Sequence, residues 1–155
     1  MNTDTSLAVG ACARRTRVVT ARDIELFTEI SGDRNPLHYD AELAARSRFG
    51  GLVVQGGVTS GLLNAVVAED LPGPGSVFLE VSWRFLAPVR PGDTITAEVE
   101  VTSSRSDKPV TTLATRVRNQ DGVLVLDGTA VTWRDPVVAA VSMPRADLLG
   151  ADERP

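Results

Sequence analysis

The spacing of hydrophobic and polar positions changes near residue 75. Before that point the apolar positions follow a helical period. Ile24, Phe27 and Ile30 recur at spacing three and share one face. Thr20 precedes them as a cap, with Asp23 at N3 as an acidic variant of the capping box. Ser31-Gly32-Asp33 ends this helix, and Asp40 caps a second, short helix over Ala41 to Ser47. A third helix is expected from roughly Gly57 to Glu69, with Val58, Leu62, Ala65 and Val66 on one stripe and Leu63 and Val67 widening it. Leu71-Pro-Gly-Pro-Gly75 stops it.

After residue 75 the period becomes two. Ser76–Pro88 alternates, with Val77, Leu79, Val81, Trp83 and Phe85 on one face and Glu80, Ser82 and Arg84 on the other. Thr94–Ser103 sends Ile95, Ala97, Val99 and Val101 inward. Val110–Arg118 and Val123–Arg134 complete the set, joined across Asn119-Gln-Asp-Gly122 by an Asp-Gly hairpin signal. Arg14 to Thr20 reads as a further short strand. Helices followed by consecutive antiparallel strands define an α+β class, with a sheet wrapped around the apolar third helix. One domain is expected over residues 1–155, its core at roughly 13–135, with loose tails at 1–12 and 136–155.

Composition narrows the partners. The chain carries 16 basic and 20 acidic residues, a net charge of −4, and no Lys/Arg block, so nucleic acid is not expected. Apolar runs fall short of a membrane span. The N-terminus lacks the basic start and unbroken apolar run of a secretory signal. Cys12 is the single cysteine, which permits no internal disulfide and fits a reducing compartment, so a cytoplasmic location is expected.

The chemistry concentrates in Ser31-Gly-Asp-Arg-Asn-Pro-Leu-His38. His38 is the chain's only histidine and lies five residues after Asp33. A carboxylate and an imidazole that grip one water can take a proton from it and return a proton to carbon, which is what adding water to a double bond requires. Pro36 stiffens the segment and holds Asn35 extended. The same residue types also make an ordinary turn around a structural histidine. Gln55-Gly56-Gly57 opens the third helix, where unpaired N–H groups and the positive dipole end can stabilise negative charge on a thioester oxygen; glycines there also serve close packing. Asn64 is a further polar group of interest. No nucleophile elbow, zinc-ligand set, phosphate-binding loop or dinucleotide fingerprint is present, and no metal or separate cofactor is expected.

The segment Phe27-Thr-Glu-Ile-Ser-Gly-Asp-Arg-Asn-Pro-Leu-His38-Tyr-Asp resembles the hydratase motif of MaoC-like proteins, especially the (R)-specific enoyl-CoA hydratases. Leu71-Pro-Gly-Pro-Gly-Ser76, Phe85-Leu-Ala-Pro-Val-Arg-Pro-Gly-Asp93, Ala97-Glu-Val-Glu-Val-Thr102 and Asp107-Lys-Pro109 continue the resemblance, in order, over roughly residues 15 to 134. It implies a hotdog fold, a homodimer whose sheets join edge to edge, and an acyl thioester substrate on CoA or on acyl carrier protein, its pantetheine arm entering near the dimer interface. It further implies reversible syn addition of water to a trans-2-enoyl thioester, giving an (R)-3-hydroxyacyl thioester. Asp33 matches the base, His38 the acid partner, Gly56 the glycine whose N–H meets the thioester oxygen, and Asn35 the motif asparagine that organises the loop. Gln55 departs from the resemblance, standing where close relatives commonly carry a histidine. The small residues Gly57, Thr59, Ser60 and Gly61 leave room for a carrier-bound or functionalised acyl group. Hotdog thioesterases and non-catalytic thioester-binding modules are the alternative readings, and the intact Asp33…His38 motif favours the hydratase.

Overall fold

A computed structural model describes residues 6–141. The outer parts of both expected tails, residues 1–5 and 142–155, lie outside the described residues. The strands are β1 (Cys12–Val18), β2 (Ser76–Phe85), β3 (Thr94–Ser104), β4 (Val110–Arg118) and β5 (Leu124–Arg134). The helices are α1 (Ala21–Ser31), α2 (Pro36–Tyr39), α3 (Ala41–Arg46), α4 (Gly56–Glu69) and α5 (Pro136–Ala139). The strands form one antiparallel sheet in the order β1-β3-β4-β5-β2, and α4 packs across it. This is the α+β hotdog arrangement that the resemblance implies.

The core lies between α4 and the concave face of the sheet. Leu62, Leu63, Val66 and Val67 of α4 meet Val99, Val101, Leu113, Val117, Leu126 and Ala130 of β3, β4 and β5. Burying a leucine such as Leu63, fully enclosed here, contributes about 2 kcal/mol. The buried stripe of α4 is Thr59, Leu62, Leu63, Val66 and Val67. Val58 and Ala65, expected on that stripe, are only half-buried and line a cleft instead. Among the described residues, no helix is long and apolar enough to cross a membrane.

Three local expectations are corrected. Strand β1, expected over Arg14 to Thr20, begins and ends two residues earlier, and the segment before it is anchored: Gly10 N–H donates to Val101 O and Val101 N–H to Ala11 O. Strand β2 contains a bulge between Phe78 and Glu80. The bulge moves Phe78 opposite buried Thr132 and Val81 opposite buried Ala130, so Phe78, Val81, Trp83 and Phe85 face inward. Val77, expected on the same face, sits opposite Trp133 on the other side, and Leu79 is the inserted residue. Pro36–Tyr39, expected as loop, forms a single helical turn.

The convex face carries a row of alternating charge, one residue per strand: Arg14, Glu98, Arg116, Asp127 and Arg84. Each pair is directly opposite in register. The hydrogen bond from Arg14, with help from Arg116, holds the Glu98 carboxyl below the ordinary glutamate value of 4.5. A carboxyl lowered in the folded state stabilises above its unfolded value and loses that contribution as pH falls through the folded one. Thermal melts between pH 6 and about pH 3 are therefore expected to fall more steeply for the wild type than for Glu98→Gln, by about 1–3 °C. Parallel curves contradict this role of Glu98.

Candidate active site

Helix α1 starts with the expected cap: Thr20 N–H donates to the Asp23 carboxylate at 2.8 Å. It ends at Gly32, whose φ of 76° is the left-handed conformation that glycine adopts freely, and Gly32 N–H returns to Thr28 O. The chain thus leaves the helix with Asp33 as its first free residue. The Asp33 carboxylate accepts Asn35 N–H on Oδ1 at 3.0 Å, and Asn35 Oδ1 accepts Leu37 N–H at 3.1 Å, capping α2. Asn35 is extended, with ψ of 129°, as a residue before proline requires, and Pro36 occupies the first helical turn where no N–H is needed. These interactions place His38 on the turn facing back toward Asp33.

The Nε2 atom of His38 lies 3.4 Å from Asp33 Oδ2. Its Nδ1 lies 2.6 Å from the Val53 carbonyl. A carbonyl only accepts, so Nδ1 carries a proton, and Nε2 is the position free to hold or release one. The imidazole is 9% exposed and the Asp33 side chain 39%. A fixed ring beside a solvated carboxylate, with its variable nitrogen aimed at that carboxylate, can hold a water and move its protons.

The glycine-rich approach to α4 threads between two neighbours. Val53 N–H donates to Leu37 O beside α2, and Val54 N–H donates to Val89 O. The Arg90 guanidinium binds the carbonyls of Leu52 and Phe49. Gln55 is the N-cap residue of α4 and is buried; its Nε2 donates to Ile24 O and Thr28 Oγ1, each at 3.2 Å. Gly56 and Gly57 begin the helix. A Cβ at Gly56 would lie 3.0 Å from the Phe85 ring, and one at Gly57 2.1 Å from the Phe27 ring. Both glycines therefore admit an aromatic ring against the helix start, the close-packing role expected of them beside substrate approach.

Two clefts flank this start. One, of about 640 Å³, is lined by Phe27, Gly57, Ser60, Asn64 and Trp83 among others. The other, of about 700 Å³, is lined by Phe49, Val54, Gly56, Phe85 and Arg90 among others. Asn64 and Gly57 thus share one cleft and Gly56 opens on the second. Asp33 and His38 line neither; His38 reaches the second through Val53, which lines it.

Residues 8–122 match the protein family described as "MaoC like domain". The chain belongs to the MaoC-like family. It is 43% identical over 126 residues to an (R)-specific enoyl-CoA hydratase of Aeromonas caviae, covering 81% of this chain and 94% of that one. It is 32% identical over 134 residues to the mitochondrial 3-hydroxyacyl-[acyl-carrier-protein] dehydratase FERN of Solanum lycopersicum, covering 85% and 80% of the two chains. The solved structure of an (R)-hydratase from A. caviae involved in PHA biosynthesis superimposes with a TM-score of 0.79 at 41% identity, over 83% of this chain and 98% of that one.

Sequence reasoning about this MaoC-like chain did not single out Thr28, Tyr39 or Val53. Val53 contributes a backbone carbonyl, for which no side-chain signal exists. Thr28 sits inside the motif and is buried, while Glu29 and Ile30, which follow it, are exposed. A polar residue enclosed on an amphipathic helix was the available signal.

Proposed function

We propose that the chain is a hydro-lyase that adds water to trans-2-enoyl thioesters, giving (R)-3-hydroxyacyl thioesters, or runs the reverse dehydration. The observation that carries this reading is the Asp33–His38 pair, with Nδ1 committed to the Val53 carbonyl and Nε2 turned to the carboxylate. In this reading Asp33 is the base and His38 Nε2–H the acid. A water bound by both from the open side attacks C3 of the enoyl group; Asp33 takes the proton it loses, and Nε2–H delivers one to C2 on the same face. One proton leaves and one arrives, so transfer from Asp33 to Nε2 resets the pair. The N–H groups opening α4 at Gly56 offset the negative charge that grows on the thioester oxygen.

Relatives that act on CoA and on carrier-bound groups both support a thioester substrate and divide over its carrier. Assaying crotonyl-CoA beside crotonyl-acyl carrier protein decides between them, and inactivity on both refutes the proposed reaction. Hydrolysis, the alternative reaction, would release free thiol. The exposed free thiol of Cys12 supports a reducing, cytoplasmic setting.

We also propose a homodimer formed through the β2 edge. Val81 and Phe85 face inward yet are 44% and 56% exposed, because none of the described residues covers that flank. An open apolar edge strand invites a second copy. Centring a two-fold axis on Ser82 sets Glu80 opposite Arg84 of the second copy, which extends the alternating charge row. Glu80→Arg turns two attractive pairs repulsive and is expected to weaken dimerisation roughly tenfold in sedimentation equilibrium. An unchanged dissociation constant contradicts this register.

A further inference from the structure

Thr28 meets the three segments that carry the site. Its hydroxyl donates to Asp33 O at 2.7 Å. The Gln55 Nε2 group donates to Thr28 Oγ1. The Tyr39 hydroxyl also contacts Oγ1 and, because the single Thr28 proton is spent on a carbonyl that can only accept, Tyr39 is the donor. One donation and two acceptances use the full capacity of the hydroxyl, which is only 4% exposed as part of Thr28. Asp33 carries the proposed base, Tyr39 follows His38 on α2, and Gln55 precedes Gly56. The two amide protons of Gln55 are both used, on Thr28 and on Ile24 O, while Gln55 Oε1 has no hydrogen-bond partner among the described residues. An unpaired buried acceptor is destabilising. Core stability alone does not account for this amide; its donors do.

We propose that Thr28 is a positioning residue for the hydration reaction, its hydroxyl locking the Asp33 backbone, the His38 turn and the α4 cap into one geometry. This rests on the hydratase reading above. A valine keeps the branched shape of Thr28 and removes only its hydrogen bonds, while serine keeps the hydroxyl. Small displacements of reacting groups are costly in rate. Thr28→Val is expected to lower kcat on crotonyl-CoA roughly 10–100-fold with KM within about twofold, and Thr28→Ser to restore kcat to within about threefold of wild type. The ring resonances of His38, the single histidine, give a readout independent of turnover. They are expected to move in Thr28→Val and to stay in Thr28→Ser. The proposal is overturned if Thr28→Val keeps kcat within about twofold and leaves the His38 signals in place, or if serine is as impaired as valine. Should the wild type hydrate no enoyl thioester, the functional reading fails, and the His38 signals alone decide whether Thr28 positions the pair.

Discussion

Asp33→Asn is expected to lower the hydration rate about 10³-fold while leaving the melting temperature nearly unchanged. The substitution keeps what holds the loop. An asparagine at 33 still accepts Asn35 N–H on its oxygen, as the Asp33 Oδ1 does, so the turn into α2 survives. That same bond fixes the amide, and its NH2 group then faces His38 Nε2 where Asp33 Oδ2 stood at 3.4 Å. A donor replaces an acceptor, and no group remains to receive a proton from water. His38→Ala removes the other half of the pair but leaves the buried Val53 carbonyl without its 2.6 Å partner. That variant therefore loses stability as well as activity, by about 1–3 kcal/mol. Initial rates beside thermal melts separate the two cases. An Asp33→Asn protein within tenfold of wild type, a margin set by the expected size of general base catalysis, removes Asp33 from the mechanism.

The largest expected loss of stability comes from Gly128→Ala. Gly128 lies in β5 opposite Trp83 of β2. A Cβ there would fall 1.9 Å from the Ser82 carbonyl oxygen and 3.0 Å from Trp83 Cα. Both obstacles are backbone, so no rotamer change relieves them, and the two strands must separate. The inward anchors of β2 move with it: Trp83 Nε1–H donates to Thr115 Oγ1 at 3.1 Å, and Phe78 meets the Trp83 ring edge-on. A cost of about 3 kcal/mol is expected, or roughly 6–12 °C in melting temperature. Gly61→Ala is the natural control. Beyond its own stretch of helix, no atom of the described residues lies within 4 Å of its Cβ, and alanine is favoured over glycine inside a helix by about 1 kcal/mol, so it is expected to raise the melting temperature. If Gly128→Ala melts within about 2 °C of wild type, the strand approach at this point is looser than described.

Elements governed by local chemistry were legible in the sequence. The Thr20–Asp23 box, the Asp40 cap, the Asp-Gly hairpin and the alternation of β3 all depend on near neighbours, and each forms where the pattern places it. The resemblance correctly indicated the MaoC-like family and its fold. Features governed by a distant partner were not legible. The bulge at Leu79 exists only against β5, and it reverses the side of Val77. Pro36–Tyr39 is too short for a periodic signal, although Asn35 and Pro36 are a cap and a first-turn proline in the expected order. Gly128 did carry a local signal, since glycine within a strand often marks close backbone approach. The site was half legible. Residue type and spacing left Asp33 and His38 open between a water-handling pair and an ordinary turn, and the motif resemblance favoured the pair; Thr28 gave no such sign, because Gln55 and Tyr39 reach it only through the fold.

The most direct test of the central claim mixes the purified chain with crotonyl-CoA and follows the conjugated thioester absorbance and free thiol together, resolving the product by chirality. The expected result is loss of absorbance without thiol release and accumulation of (R)-3-hydroxybutyryl-CoA. Absorbance that stays constant, thiol that appears in step with its loss, or an (S) product contradicts the account.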